Sequence, residues 1–276
     1  MQYLKIKIPY KSSEWIKLIP LGDIHLGNSS VDLVKLKAIV KYIQEKKNTY
    51  WIGMGDYVEA INYSDPRFDP STVDIKGLTL KNLDKLVQLQ IKELVEVLEP
   101  IKEKCIGLLR GNHEEVIRKF NQYDVIYEIA KDLDLDRSLL LYDTAIVRML
   151  FERKAVLGKS CHSKQIDILV SHGNAGGRTY GYKSNRLSEL AKWFIADVYL
   201  LAHSHTKQAQ SSTQIYFDRS GNQQKKKTIS AITGCFLKSY DVDKNSYAEK
   251  MCLPPTDIGV AKIMIQPETG DIHISL

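Results

Sequence analysis

No stretch of the 276 residues approaches an uninterrupted apolar run of membrane length. That argues against a membrane-spanning helix and predicts a soluble protein with no membrane partner. The N-terminus, Met1-Gln2-Tyr3-Leu4-Lys5, lacks the apolar core and small-residue cleavage site of a signal peptide. Cysteine is scarce: Cys105, Cys161, Cys235 and Cys252 are scattered and show no C-x-x-C spacing. Neither a disulfide frame nor a zinc knuckle is expected from them, and they read as reduced thiols of a cytoplasmic protein. Internal repeats are absent, and the single compositional oddity is the Gly/Asn/Gln/Lys stretch from Gly221 to Lys227.

What is present is ordinary in bulk. Hydrophobic residues make up 43% and charged residues 26%, a globular composition with enough apolar side chains for one large core or two small ones. The net charge of +6 comes from lysine-rich segments such as Lys46-Lys47 and Lys225-Lys226-Lys227. A positive balance permits a polyanionic partner, nucleic acid included, and is equally consistent with a solvated lysine surface.

The histidines are not ordinary. Five of the seven fall in short motifs: Asp23-Ile24-His25, Gly111-Asn112-His113-Glu114, Ser171-His172-Gly173 and Ala202-His203-Ser204-His205. Gly55-Asp56 adds a further carboxylate, whereas His162 and His273 lie outside the pattern. Two Asp, one Asn and four His form a complete ligand set for two adjacent divalent cations. Mixed oxygen and imidazole donors suit Mn, Fe or Zn rather than Mg or Ca. A dinuclear site of this kind is a device for phosphoester hydrolysis.

Periodicity places these motifs. Trp15 to Leu21, Thr49 to Met54, Cys105 to Leu109, Ala145 to Phe151, Ile166 to Val170 and Val198 to Leu201 read as strands. Helices are expected over Val31 to Lys47, with Val34, Leu36, Ile39, Val40 and Ile43 on one face, and over Leu80 to Leu98, closed by Pro100. Two more are expected over Glu114 to Leu133, with Val116, Phe120, Ile126 and Ile129 as core candidates, and over Asn185 to Phe194. Asn62 to Thr72 reads as a surface loop. Gln214 to Phe217, Thr228 to Ile232, Val260 to Ile265 and Ile272 to Ser275 make a β-rich tail. The chain is expected to form one domain, 1–276, with a helical insertion at about 62–100 and a β-rich part at about 210–276. Every metal-ligand motif follows the carboxyl end of a predicted strand, the edge where ligand sites of open sheets collect. The alternation of strands and helices followed by strands suggests two packed sheets with helices outside, an α/β (α+β) class.

Each fragment alone is weak, and a loop Asp is usually only a turn residue. Five in order, at the same kind of strand end, are not. Together they resemble the calcineurin-like metallophosphoesterase superfamily, whose signature reads D-x-H, G-D, G-N-H-[D/E], H and G-H-x-H. The match runs from Asp23 to His205. The resemblance implies a four-layer αββα sandwich with a dinuclear metal centre at the carboxyl ends of the strands. It assigns Asp23, His25 and His205 to the first metal, Asn112, His172 and His203 to the second, and Asp56 as the bridge. It also gives His113 the role of protonating the leaving oxygen or binding the phosphate, which suits an imidazole. Mn is the first expectation for both ions, with Fe, Zn or Ni as alternatives.

Details inside the superfamily point two ways. Leu108 to Glu114 and Gly55-Asp56-Tyr57-Val58-Glu59 look like Ser/Thr protein phosphatase motifs, where an acid orients the catalytic histidine and an Arg follows it. Glu59 takes the acid's place, and Ala60 stands where that Arg would be. Losing a bidentate phosphate fork weakens the protein-phosphatase reading. Ala202-His203-Ser204-His205 is instead similar to the phosphodiesterase and nuclease branches, with Ala202 replacing Gly. Arg110, Arg178 and Lys183 are the candidate substrate contacts. Arg178 and Lys183 lie in the Gly173 to Lys183 segment, where Tyr180 and Tyr182 would be available to stack on a base if it forms a loop. The segment from Asn62 to Leu98 would narrow the cleft as a cap or form a dimer surface. The primary expectation is a metal-dependent phosphodiesterase acting on nucleic acid or nucleotides. A phosphomonoesterase and a metal-bearing scaffold without turnover are the alternatives.

Overall fold

The computed structural model describes residues 1–153, 163–173, 177–242 and 246–276. Cys161, His162 and the 174–176 part of the predicted loop lie outside the described residues.

Two sheets form. The larger carries β1 (Gln2–Tyr10), β5 (Thr144–Arg153), β6 (Ser163–Ser171), β7 (Val198–Leu201), β9 (Gln223–Cys235) and β10 (Gly259–Val260) in the order β1-β5-β6-β7-β9-β10. An additional strand, β8 (Lys207–Phe217), pairs antiparallel with β9. The smaller sheet has the order β12-β11-β2-β3-β4, built from β2 (Ile16–Leu21), β3 (Thr49–Gly53), β4 (Cys105–Leu108), β11 (Lys262–Gln266) and β12 (Asp271–Ser275). The helices are α1 (Leu33–Glu45), α2 (Leu86–Leu98), α3 (Asn112–Asn121), α4 (Val125–Asp132), α5 (Tyr180–Trp193) and the single turn α6 (Tyr247–Lys250).

Strand alternation sorts the core into layers. Ile16 and Leu18 of β2, Ile52 of β3 and Ile263 of β11 pack against Val147 and Met149 of β5, Ile168 of β6 and Leu200 of β7, so this cluster lies between the sheets. The other faces bury separately. Ile19, Leu21 and Trp51 meet Leu36, Val40 and Ile43 of α1, Ile91 and Leu94 of α2, and Ile126 and Ile129 of α4. On the far side, Leu169, Tyr199, Leu201 and Ile232 meet Leu187 and Leu190 of α5. The result is the expected αββα sandwich, with four helices over one sheet and α5 over the other. No helix among the described residues is long and apolar enough to cross a membrane.

Several expectations need correction. The helix predicted over Glu114 to Leu133 is two helices, because Gln122 adopts the left-handed conformation at φ 53° and Asp124 caps a new start by accepting from the Tyr127 amide. Phe120, predicted for the core, is 80% exposed at the end of α3. Val34 and Leu80 are likewise exposed, and Leu80 begins a 3-10 segment (Leu80–Lys85) rather than a continuous α-helix. Helix α5 begins at Tyr180 instead of Asn185, capped by Thr179, so part of the predicted phosphate loop is helix. β1 was not expected at all; it pairs in parallel with β5 along its full length.

Candidate metal centre

The site is built from the loops that follow β2, β3, β4, β6 and β7, on one edge of the sandwich. Asp23, His25, Asp56, His203 and His205 all hold positive φ, between 47° and 68°. Left-handed backbone costs an L-residue roughly 1–2 kcal/mol, and such strain concentrates where function fixes geometry. Backbone bonds between loops hold it in place. The amides of Ile24 and His25 donate to the Asp56 carbonyl at 2.8 and 3.0 Å, and the Asp23 amide donates to the Gly55 carbonyl at 2.9 Å. Gly55, at φ 91°, is required twice over, since a Cβ there would sit 2.6 Å from His172 Nδ1. A Cβ on Gly111 would meet Asp56 Oδ1 at 2.1 Å.

The imidazoles are locked by their outer nitrogens. His172 Nδ1 donates to the Met54 carbonyl at 2.7 Å, and His25 Nδ1 donates to Glu59 Oε2 at 3.1 Å. Both rings therefore turn Nε2 to the site, the atom that would hold a metal once its proton is released. His25 Nε2 faces His205 Nε2 at 3.1 Å, and His172 Nε2 faces Asn112 Oδ1 at 3.0 Å. Asp56 Oδ2 lies 3.8 Å from His25 Nε2 and 3.3 Å from His172 Nε2, so one oxygen faces both groups.

Each of these contacts brings two potential metal-ligand atoms to the spacing that one shared cation gives. Ligand atoms about 2.0–2.1 Å from one ion and at right angles lie about 3 Å apart, as these do. Buried Asp23 Oδ1 and His203 Nδ1 have no hydrogen-bond partner, a costly state that coordination removes. Asp23, His25 and His205 can converge on one ion, and Asp56, His172 and His203 on another. The residues present fit two ions.

Electrostatics agree. Burial raises the Asp23 carboxyl to about 7, partly opposed by His172 and His25. Burial would also raise Asp56, but His172, His113 and His25 outweigh it and hold that carboxyl well below its ordinary range. For His25, burial is overcome by Glu59, Asp56 and Asp23, and the ring rises to about 9; His172, facing Asp56 and Asp23, rises to about 10. His203 falls to about 4, through burial and the neighbouring His172.

The remaining predicted residues are placed differently from one another. His113 stands beside His25, ring centroids 4.7 Å apart, and its Nδ1 donates to the backbone carbonyl of Glu59 at 2.5 Å. That bond holds the ring by Nδ1 and leaves Nε2 as the other nitrogen. The Glu59 carboxylate, expected to orient His113, reaches His25 instead. Arg110 is paired with Glu115 at 3.3 Å and with Asp124 at 3.6 Å. Lys183, expected in a flexible phosphate loop, is buried on α5 and donates to the Ser204 carbonyl at 2.9 Å, between His203 and His205. It braces that loop. Arg178 is exposed, in the bend before α5.

One residue escaped the sequence reading. Glu114, buried to 1% exposure, accepts from the amides of Asp56 and Gly111 at 2.9 Å each and of Tyr57 at 2.7 Å. It ties the Asp56 loop to the Asn112 loop. Its place directly after Asn112-His113 was the available signal.

The family model described as calcineurin-like phosphoesterase matches residues 16–207, from β2 to the start of β8. The chain belongs to that family. As a calcineurin-like phosphoesterase it is a metal-dependent hydrolase of phosphate esters. No curated protein matches it. Similar solved structures include a metallophosphoesterase from Sphaerobacter thermophilus, at 12% identity and TM-score 0.39, covering 94% of this chain and 87% of that one. Vps29 from Chaetomium thermophilum matches at 10% identity and TM-score 0.39, covering 94% and 96%. The NAD nucleotidase of Haemophilus influenzae matches at 11% identity and TM-score 0.40, covering 96% of this chain and 50% of the other.

Proposed function

We propose that this phosphoesterase is a phosphodiesterase acting on nucleic acid or nucleotides, with Mn as its metal. Asp23, His25 and His205 would hold one ion, Asn112, His172 and His203 the second, and Asp56 would bridge them. Two such ions supply Lewis-acid clamping of the phosphate and a nucleophile at neutral pH. The chain supplies the rest. His113 Nε2 is the free nitrogen of a fixed ring, suited to hold the proton that the leaving oxygen takes.

One observation carries the diester reading: the position after Glu59 is Ala60, buried and without charge. A terminal phosphate dianion calls for an extra cationic fork, whereas a diester monoanion does not. Arg110, the nearest candidate in sequence, is committed to Glu115 and Asp124. Exposed Arg178, Tyr180 and Tyr182, between His172 and the body of α5, suit a polynucleotide better than a small monoester.

The test is hydrolysis by the Mn-reconstituted enzyme of bis(p-nitrophenyl) phosphate against p-nitrophenyl phosphate, followed by single- and double-stranded DNA, RNA and cyclic nucleotides. Preference for the diester is expected. A strong preference for the monoester overturns the reading.

A further inference from the structure

Strand β8 ends the larger sheet in an unusual way. It pairs with β9 on one side, and among the described residues no strand pairs with the other. β7 meets β9 only over Ile229 to Ile232, so Ser212–Phe217 and Gln223–Thr228 project as a two-stranded arm beyond the sheet. Two strands alone are marginal in water, and a third strand on the open edge is the natural remedy.

Past Lys207, among the described residues, that edge has no protection. Exposed edge strands ordinarily carry lysine, proline or a bulge to block pairing. From Gln208 to Phe217 there is no charged residue and no proline, in a chain that is 26% charged. The register with β9 is unbroken over eleven pairs, so there is no bulge either. At the tip, Ile215, Tyr216 and Phe217 are 60%, 50% and 70% exposed. A fully buried aromatic side chain covers about 150–250 Å², so the two rings alone offer about 75–175 Å² each to a partner.

We infer that this edge is a docking surface for a second copy of the chain, with β8 pairing antiparallel to its symmetry mate. A two-fold axis through the sheet plane keeps like faces together, which requires residues of equal parity to meet. Centred on Thr213, it sets Ile215 opposite Ser211 and Phe217 opposite Ala209 of the mate. Charge decides for self-association here. The chain carries a net +6, so a contact between copies is favoured on a segment without charge. Along β8 from Gln208 the contact is neutral; Lys225 of β9 would lie level with Ile229 of the mate's β9, and Lys227 would face its counterpart across three strand spacings. That is about 14 Å, beyond the screening length of about 8 Å at physiological ionic strength.

The test is the solution mass of the full chain by light scattering at micromolar concentration. Twice the 31.5 kDa chain mass is expected. Combining Ser211→Glu with Ile215→Glu places like charges opposite each other only in the dimer, because position 215 faces Lys225 of β9 within the chain, so it should give a monomer with unchanged circular dichroism and phosphoesterase activity. Thr213→Cys should cross-link on mild oxidation, which reports the pairing even if the double variant folds poorly. A monomeric parent chain overturns the inference, as does a dimer that survives both glutamates, or an arm that binds nucleic acid or an acidic peptide while the chain stays monomeric.

Discussion

Replacing Glu114 by alanine should damage the fold and the metal centre together. Its carboxylate is the acceptor for three backbone amides, those of Asp56, Tyr57 and Gly111. A hydrogen bond to a charged acceptor contributes about 1.5–3 kcal/mol, and buried donors left unpaired cost about as much. Three of them amount to about 4–9 kcal/mol before relaxation. Burial and the nearby Asp56 raise the Glu114 carboxyl, so part of that gain is already offset by holding two carboxylates close together. A net loss of about 3–5 kcal/mol follows, a large share of the roughly 5–15 kcal/mol of a typical domain. Glu114→Gln should cost less, about 1–3 kcal/mol, because the amide oxygen still serves Asp56 and Gly111 while its NH2 opposes the Tyr57 amide. Urea unfolding in EDTA reads these differences without the stabilisation that bound metal would add. An alanine variant within about 1 kcal/mol of the parent would refute the clamp.

Glu59→Gln keeps the backbone carbonyl that holds His113 but removes the charge behind His25, so metal affinity should fall about 10–100-fold and turnover should recover at saturating metal. If turnover stays low in saturating metal, Glu59 orients His113 after all. His113→Ala should keep metal content and lower turnover about 10²–10⁴-fold on an alkoxide leaving group, with little effect on p-nitrophenolate; an unchanged rate on the poor leaving group refutes the acid role. Asp56→Asn should reduce metal content, measured by atomic emission, and activity in parallel, and loss of activity with both ions retained would contradict the bridge. His25 and His172 are raised to about 9 and 10, so both hold protons at neutral pH and must release them to bind metal. Apparent metal affinity should therefore rise with pH up to that range, and calorimetry in buffers of different ionisation enthalpy should show at least one proton released.

The site was readable because its ligands are local to strand ends, and strand ends are marked by apolar runs that stop at glycine or a carboxylate. The five loops needed no knowledge of tertiary contacts to be placed on one edge. What failed depended on contacts distant in sequence. Glu114 lies inside a motif, yet its three amides belong partly to a loop about 58 residues away. Glu59 sends its carboxylate to His25 rather than to His113, a choice of partner that no spacing rule specifies. Lys183 was misplaced because the helix start at Thr179 is a single polar cap without a strong apolar face behind it. The break between α3 and α4 was hidden because Gln122, not glycine, takes the left-handed turn. β1 was missed because alternate residues of its first half remain partly exposed, and its pairing with β5 spans more than 140 residues.

The charge balance of the site also explains why its geometry tolerates strain. Asp23, Asp56, Glu59 and Glu114 bring four carboxylates together with five histidines in a space largely closed to water. Protein charges alone leave this set mismatched: Asp23 is driven toward neutrality at about 7, while His25 and His172 are driven to hold protons. The Nε2 atoms of His25 and His205, 3.1 Å apart, can share one proton or converge on one cation. Cations remove each of these conflicts at once, since they ionise Asp23, displace protons from the imidazoles and fill the space between facing donors. Five left-handed residues, at about 1–2 kcal/mol each, are affordable against a binding energy of that kind. Metal removal should therefore loosen these loops first, and hydrogen exchange at the His25 and His203 amides should accelerate before exchange in β5 or β6 does.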